Sequence, residues 1–416
     1  MITVDEALRL VLEHAQPLPA HAVPLHESLG LVLAEEVASD VDSPPYDKSI
    51  VDGYAVQAKD LASGEARLTI LEEVVAGSVP SQPVRAGTTT RVMTGAPLSE
   101  GADAVVMIER AELISDGDAA TVVLRESRVS AGQNIMRRAA SVHKGEIVLQ
   151  PSTMLRPIEI GMLAEVGRAT VRAVPRATVA ILPTGDELVP PEQTPGPGQI
   201  RNSNGPMLAA SVTRAGGIAR ELSIARDDRE QLRQQIAAGL ESDVLVLSGG
   251  VSAGVLDLVP GVLAELGVRQ VFHKLRLKPG KPLWFGVLER DGRQRLVFGL
   301  PGNPVSSLVC FELFVRPAMS RLAGGSGEGL PRVPAKLARE FVHRGDRPTY
   351  HPAVLQNVAA PATSLHASPL TLPEVTPVTW RGSADLRALA AANSLVLFPA
   401  GSQTHAAGEI VEVLLL

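Results

Sequence analysis

Two lysines on a rigid turn and three polar loops hold the residues best suited to chemistry. Lys278 and Lys281 flank Pro279-Gly280, a frame that fixes two ammonium groups where an oxyanion could be held. Lysines on an edge strand also guard against aggregation, but the prolines and glycine fix this turn rather than solvate it, which favours the oxyanion reading. Asp186 and Glu187 in PTGDEL and Asp257 in SGGVSAGVLD are hard oxygen donors of the kind a divalent cation takes. Ser248, Gly249, Gly250, Ser252 and Gly254 form a turn between an apolar run and a helix-like stretch, where backbone N–H groups approach an anion closely. Asp257 would repel a bare phosphate and suits a metal-bound one; the bland alternative is a tight turn with a solvated aspartate.

These residues need an α/β frame. Val244–Leu247 has the length and β-branching of a buried strand. Around it the sequence alternates. Strands are expected at Thr178–Leu182, Leu222–Ala225, Gln270–Leu277, Leu283–Val287 and Leu296–Phe298. Helices are expected after Asn202-Ser203-Asn204, over Arg229–Leu240, over Val255–Leu266 and from Ser306 to about Met319. Such alternation implies a largely parallel sheet with helices on both faces and ligands beyond the carboxyl ends of its strands. The loops Thr184–Glu187, Ser248–Asp257 and Pro301–Pro304 stand at such ends.

The flanks read differently. Thr3–Glu6 fits a capping box opening a helix that ends by Pro17. From Gly53 to about Leu149 short strands alternate with turns, as in a small all-β module, and Asp52-Gly53 is a hairpin signal. Arg137, Arg138, His143 and Lys144 form a charge run expected on a solvated face. Pro175 marks a boundary and Ala323–Gly327 a linker; beyond it a small β-barrel with one short helix is expected.

Composition bounds the rest. The 416 residues suffice for two to four domains, and 45% hydrophobic with 20% charged residues is ordinary for a soluble protein. A net charge of −6 argues against non-specific nucleic-acid binding. The single cysteine, Cys310, lies in an apolar run, so a buried thiol is expected and a disulfide framework is excluded. The acidic, amphipathic N-terminus is no signal peptide and no stretch has the apolar length of a membrane span, so a cytoplasmic location is expected.

Motifs along nearly the whole chain make it resemble the molybdopterin molybdenumtransferase family, the MoeA proteins and the gephyrin E domain. They are PPYDKSIVDGYAV, MTGAPLSEGADAVV, PTGDEL, GQIRNSN, SGGVSAGVLD, LKPGKPLWFG, GLPGNPVSS and GSADLRALAAANS…AGEIVEVLLL. The resemblance implies an elongated N-terminal domain over residues 1–174 with a β lid at about 53–149. It further implies a three-layer α/β molybdopterin-binding domain over 175–325 and a β-barrel over 326–416. It implies insertion of molybdate into adenylylated molybdopterin with release of AMP, Mg²⁺ as the cation, and homodimers with shared sites. Molybdopterin adenylyltransferase and molybdoenzymes are the implied protein partners, with no nucleic acid or membrane.

Position by position, it assigns Ser248–Gly254 to the pterin phosphate, and Asp186, Glu187 and Asp257 to Mg²⁺ and adenylate cleavage. Lys278, Lys281, Pro282, Ser306, Arg347 and Ser383 match the molybdate pocket, with Pro301 and Pro304 beside it. Asp52 and Thr94 would come from the lid of the other subunit. Met136, Ala139 and Ser141 stand where the family has Arg, Gly and Asp, which removes one charge of each sign from the lid side. Two alternatives stand beside this reading: the adenylyltransferase step, made by much shorter proteins that share the central fold but lack the flanking domains, and a non-catalytic scaffold, against which Lys278, Lys281 and Asp257 speak.

Overall fold

The computed structural model describes residues 1–116, 119–250, 258–356 and 372–416. The chain forms two compact units: one of Met1–Ala22, Gly30–Ala34 and Arg172–Leu416, the other of Val23–Leu29 and Glu35–Val171. No helix among the described residues is long and apolar enough to cross a membrane.

Helix α1, Val4–His14, opens the first unit. The Thr3 hydroxyl accepts from the Glu6 N–H at 3.1 Å, satisfying one orphan donor of the first turn. Ala7 and Val11, four residues apart and fully buried, carry its inner face into the main core of this unit.

The second unit is built on a six-stranded sheet. Its strands are β1 (Gly53–Val56), β2 (Glu65–Val74), β3 (Thr88–Val92), β4 (Ala104–Met107), β5 (Ala111–Asp116) and β6 (Ala119–Arg125), in the order β4-β1-β3-β2-β6-β5. Asp52-Gly53 is not the turn of a hairpin. Lys48–Ser49 pairs with Ile135–Met136, whereas β1 pairs with β3 and β4. Glycine is needed at 53 because a Cβ there would lie 2.1 Å from the Val106 carbonyl oxygen across the sheet. The basic run is exposed but paired: Arg137 meets Asp47 at 2.5 Å and Arg138 meets Asp42 at 2.6 Å. Ala139 adopts φ +61°, the left-handed conformation that glycine takes without strain. Helix α2, Pro157–Glu165, begins with Arg156 held to Glu159, whose carboxyl is lowered to about 2 by that guanidinium.

Returning to the first unit, the chain runs through β7 (Thr178–Pro183), α3 (Asn204–Arg214), β8 (Ile218–Glu221), α4 (Arg229–Gly239), β9 (Val244–Ser248) and α5 (Val259–Glu265). Then follow β10 (Arg269–His273), β11 (Trp284–Arg290), β12 (Arg293–Leu300), α6 (Pro304–Cys310) and α7 (Arg316–Leu322). The strand order is β8-β7-β9-β12-β11-β10; the pairings from β8 to β12 are parallel and the last two antiparallel. Strand β9 is central and buried at every residue, so it shows no polar alternation. Val244 and Val246 enter one core with α1, α3 and α6, while Leu245 and Leu247 enter the other with α4 and α5. Each such fully buried side chain contributes roughly 1.5–3 kcal/mol.

Two strand expectations shift. The strand expected at Leu222–Ala225 lies at Ile218–Glu221, because this edge strand is largely exposed. The apolar signal came from Ala225, which is fully buried after the strand has ended, and from Leu222 beside the α4 core. The strand expected over Gln270–Leu277 stops at His273, where Lys274 turns the chain at φ +67°. Leu275 and Leu277 are buried as loop residues.

The helix expected to about Met319 is a continuous helical run with a π turn, Phe311–Val315, between α6 and α7. It carries the buried Glu312, which Arg214 of α3 and Arg316 of α7 both engage. Cys310 is buried and free, its thiol pushed up by desolvation.

Beyond Ala323–Gly327 come β13 (Arg332–Leu337), β14 (Phe341–His343), β15 (Thr349–Gln356), β16 (Glu374–Pro377), α8 (Leu386–Ala390), β17 (Ser394–Phe398), β18 (Gln403–His405) and β19 (Ile410–Leu415). Strands β13-β16-β15-β17-β19 close a barrel, and β14 pairs with β18.

Candidate functional site

The carboxyl ends of β7, β9 and β12 meet at one place. Thr184 N–H donates to the Ser248 carbonyl at 3.0 Å, and Gly249 N–H donates to the Leu300 carbonyl at 3.1 Å. Gly249 and Gly250 have φ +99° and +64°, and a Cβ on Gly249 would lie 2.6 Å from the Thr184 carbonyl oxygen. Only glycine permits that approach. Asn204, the first residue of α3, donates from Nδ2 to Ser248 Oγ and to the Gly302 carbonyl, both at 2.7 Å. It thereby ties the helix to two loops.

These loops bound a cavity of about 760 Å³, lined by Glu187, Ser248, Gly249, Gly250, Pro282, Pro301 and Pro304 among others. Ser252, Gly254 and Asp257 lie outside the described residues. Thr184, Asn204 and Asp227 also line the cavity and were not singled out from sequence as site residues. By sequence, Asn204 marks only part of a helix cap. Asp227 was hidden in an Asp-Asp pair before α4: Asp228 caps that helix through the Gln231 N–H at 2.8 Å, and Asp227 turns to the site.

Asp227 identifies the acidic end of the cavity. Its carboxyl is raised first by burial and then by the negative charges of Asp186 and Glu187. Its N–H donates to Asp186 Oδ1 at 3.1 Å. Glu187 and Asp227 line the cavity and Asp186 stands behind them; carboxylate oxygens are the donors a hard divalent cation takes. Among the described residues no three His, Cys, Asp or Glu side chains close a metal cage by themselves. Mg²⁺ does not require one, since it keeps several waters and takes one or two carboxylates with substrate phosphates.

A second cavity, of about 570 Å³, adjoins the first through Pro282, Pro301 and Asn303. Lys278, Lys281, Ser306, Arg347 and Ser383 line it. Lys278 is not on an edge strand but in the loop between β10 and β11. Its N–H donates to the Pro348 carbonyl at 2.9 Å and its carbonyl accepts from the Tyr350 N–H at 2.8 Å, fixing it to the start of β15. Ser383 is brought in by Asn303, whose Nδ2 donates to its hydroxyl at 2.7 Å, and by the Val305 N–H, which donates to its carbonyl at 3.0 Å. Arg347 donates from Nε to Asp346 at 3.0 Å and lines the cavity.

Asp52 and Thr94 lie in the second unit and form a pair. Asp52 Oδ1 accepts from the Thr94 N–H at 2.6 Å and from its hydroxyl at 2.7 Å, which holds the Asp52 carboxyl below its ordinary range. Ser141 belongs to the same unit, its N–H donating to the Ser43 carbonyl at 2.9 Å.

Three family models match in succession: "MoeA N-terminal region (domain I and II)" over residues 2–167, "Probable molybdopterin binding domain" over 180–321 and "MoeA C-terminal region (domain IV)" over 334–416. The chain is 32% identical, over 100% of its length and 95% of the relative's, to a molybdopterin molybdenumtransferase of Staphylococcus aureus strain Mu50. A molybdopterin biosynthesis MoeA protein from Pyrococcus horikoshii OT3 has a similar solved structure, with 29% identity, a TM-score of 0.77 and 100% coverage of both chains. A second MoeA structure from the same genus reaches a TM-score of 0.81 at 29% identity, covering 100% of this chain and 99% of that one. With all three regions matched in order and a full-length relative above 30% identity, the chain belongs to the molybdopterin molybdenumtransferase (MoeA) family.

Proposed function

We propose that this protein inserts molybdenum from molybdate into adenylylated molybdopterin, releasing AMP, in molybdenum cofactor biosynthesis. The observation that carries this reading is the pairing of two adjoining cavities of opposite character. One has a glycine cradle and a carboxylate end; the other holds two lysines and an arginine. A substrate with a phosphoanhydride and a dithiolene needs both.

In this reading the Ser248–Gly250 backbone receives the pterin phosphate. Asp186, Glu187 and Asp227, with Asp257, are the residues that would hold Mg²⁺. When bound, the cation supplies charge neutralisation at the phosphoanhydride. Water adds at one phosphorus, the P–O bond of the anhydride breaks, and AMP and molybdopterin result, each keeping one phosphate. Lys278, Lys281 and Arg347, with Ser306 and Ser383, hold molybdate by charge-assisted hydrogen bonds until two dithiolene sulfurs bond to its molybdenum, their two protons leaving with one molybdate oxygen as water. We further propose that the protein works in the cytoplasm as a homodimer in which Asp52 and Thr94 of each subunit serve the other. Molybdopterin adenylyltransferase would act before it and molybdoenzyme acceptors after it.

The test is incubation of the purified protein with adenylyl-molybdopterin, Mg²⁺ and molybdate, following AMP and pterin-bound molybdenum together. Production of both, dependent on molybdate, supports the proposal. Adenylate that remains intact under these conditions refutes it.

A further inference from the structure

Three imidazoles lie behind the cationic cavity. His343 on β14, His351 on β15 and His405 on β18 are 3%, 8% and 2% exposed. All three surround one ring, that of Phe398, at centroid distances of 5.7, 6.2 and 4.9 Å. They differ in their partners. His405 Nδ1 lies 2.7 Å from Glu409 Oε1, and His351 Nε2 donates to the Val378 carbonyl at 3.0 Å. His343 Nε2 is buried and has no partner among the described residues.

The cluster is joined to the anion cavity by the chain itself. His343 ends β14, and the loop that follows carries Arg347. The His343 ring packs against that loop so closely that a Cβ on Gly345 would lie 2.9 Å from Cε1. His351 follows Tyr350, whose N–H is bonded to the Lys278 carbonyl. The His351 ring also meets Trp380, a wall of the cavity, edge-on at 5.1 Å.

The titratable groups shown to act on or with His343 are Lys278 from the loop before β11, His405 on β18 and His351 on β15, with Glu409 reaching His405; Arg347 and Asp346 follow in its own loop. Burial first, and then the charges of His405 and Lys278, lower the His343 imidazole from its ordinary range. Burial, His343 and Lys278 do the same to His351, against the Val378 hydrogen bond.

We propose that His343 is the proton-uptake group of this cavity: capture of a tetrahedral dianion at Lys278, Lys281 and Arg347 is accompanied by protonation of its unpartnered Nε2. The inference rests on the oxyanion reading of the cavity given above. With the cavity empty, the Lys278 ammonium opposes a second positive charge nearby. A bound dianion reverses the sign of that field, and a proton from solvent adds to the Nε2 lone pair. His405 is committed to Glu409 and His351 to Val378, so neither offers an equally free nitrogen. By reciprocity the proton favours the anion as much as the anion favours the proton. Dianion affinity therefore rises as pH falls, by at most about tenfold per pH unit for one proton taken up. A monoanion, with half the charge, draws less of a proton.

The experiment is calorimetric titration of the full chain with sodium molybdate and, as an anion that does not itself titrate, sodium sulfate. Buffers of different ionisation enthalpy, between about pH 5.5 and about pH 8, give the protons taken up per anion bound. Uptake in the wild type that disappears in His343→Gln, with binding retained, is the expected result. Binding without proton uptake in the wild type, or full uptake in a folded His343→Gln protein, overturns the proposal. Absence of binding to the wild type refutes the oxyanion reading itself, and this inference falls with it. If His343→Gln fails to fold, the imidazole of ¹³C-labelled wild-type His343 is titrated by NMR with and without molybdate. Its pKa must rise on saturation; an unchanged value overturns the proposal.

Discussion

Replacing Gly249 by alanine tests whether the glycine cradle is a rigid part of the fold. Two costs add. At φ +99° an L side chain is strained by roughly 1–2 kcal/mol. The new Cβ also meets the Thr184 carbonyl oxygen at 2.6 Å, and this is backbone that cannot swing aside. Thr184 is held by its bond to the Ser248 carbonyl and Gly249 by its bond to the Leu300 carbonyl. Relieving the clash costs one of these hydrogen bonds, about 1 kcal/mol. The expected destabilisation is thus roughly 2–3 kcal/mol. Gly302, in the facing loop, is the control: its added Cβ would find nothing nearer than 3.8 Å, and Gly302→Ala should stay within about 0.5 kcal/mol of wild type. Urea unfolding followed by tryptophan fluorescence suits the comparison, because Trp284 and Trp380 are the two tryptophans and both lie in the first unit. Equal stabilities of Gly249→Ala and Gly302→Ala would show that the cradle yields freely and would refute the argument.

Asp227, raised by burial and by Asp186 and Glu187, contributes stability below the ordinary aspartate pKa that is lost as pH rises through its folded value. Asp227→Asn should therefore melt higher than wild type at neutral pH, and Mg²⁺ should raise the melting temperature of the wild type more than that of the variant. Lys278→Ala should weaken molybdate binding by about 1–3 kcal/mol, measured by calorimetry, with pterin binding less affected. Glu159, lowered to about 2 by Arg156, contributes stability that is lost as pH falls from the ordinary glutamate range through that value. Glu159→Gln should flatten this acid limb in the unfolding of the second unit, monitored by amide exchange in α2. Ala139→Gly should stabilise the same unit by about 1 kcal/mol, seen as slower exchange around Pro44, because it relieves φ +61°.

Much of the frame was legible because its signals are local. Strand β9 is apolar over Val244–Leu247 since both faces are covered, and the loops after β7, β9 and β12 follow from parallel alternation. The Pro-Gly turn between Lys278 and Lys281 read as a fixed frame and is one, pinned to β15. Other signals were right about the residue and wrong about the reason. Gly53 answers to the Val106 carbonyl across the sheet and not to a hairpin, and Ala225 is buried after its strand has ended.

By itself the sequence determined the kinds of group available and their order: glycines after a buried strand, carboxylates after another, lysines about a proline turn. Only the tertiary structure decided which of these share a field. Asp227 becomes part of the acidic end because Asp186 and Glu187 stand beside it, some forty residues earlier in the chain. His343 becomes a candidate proton acceptor because Lys278, in the loop between β10 and β11, is held against the start of β15. Burial and Coulomb interactions depend on distance in space, and neighbours far apart in sequence are chosen by strand register and packing, which no local pattern of residues records.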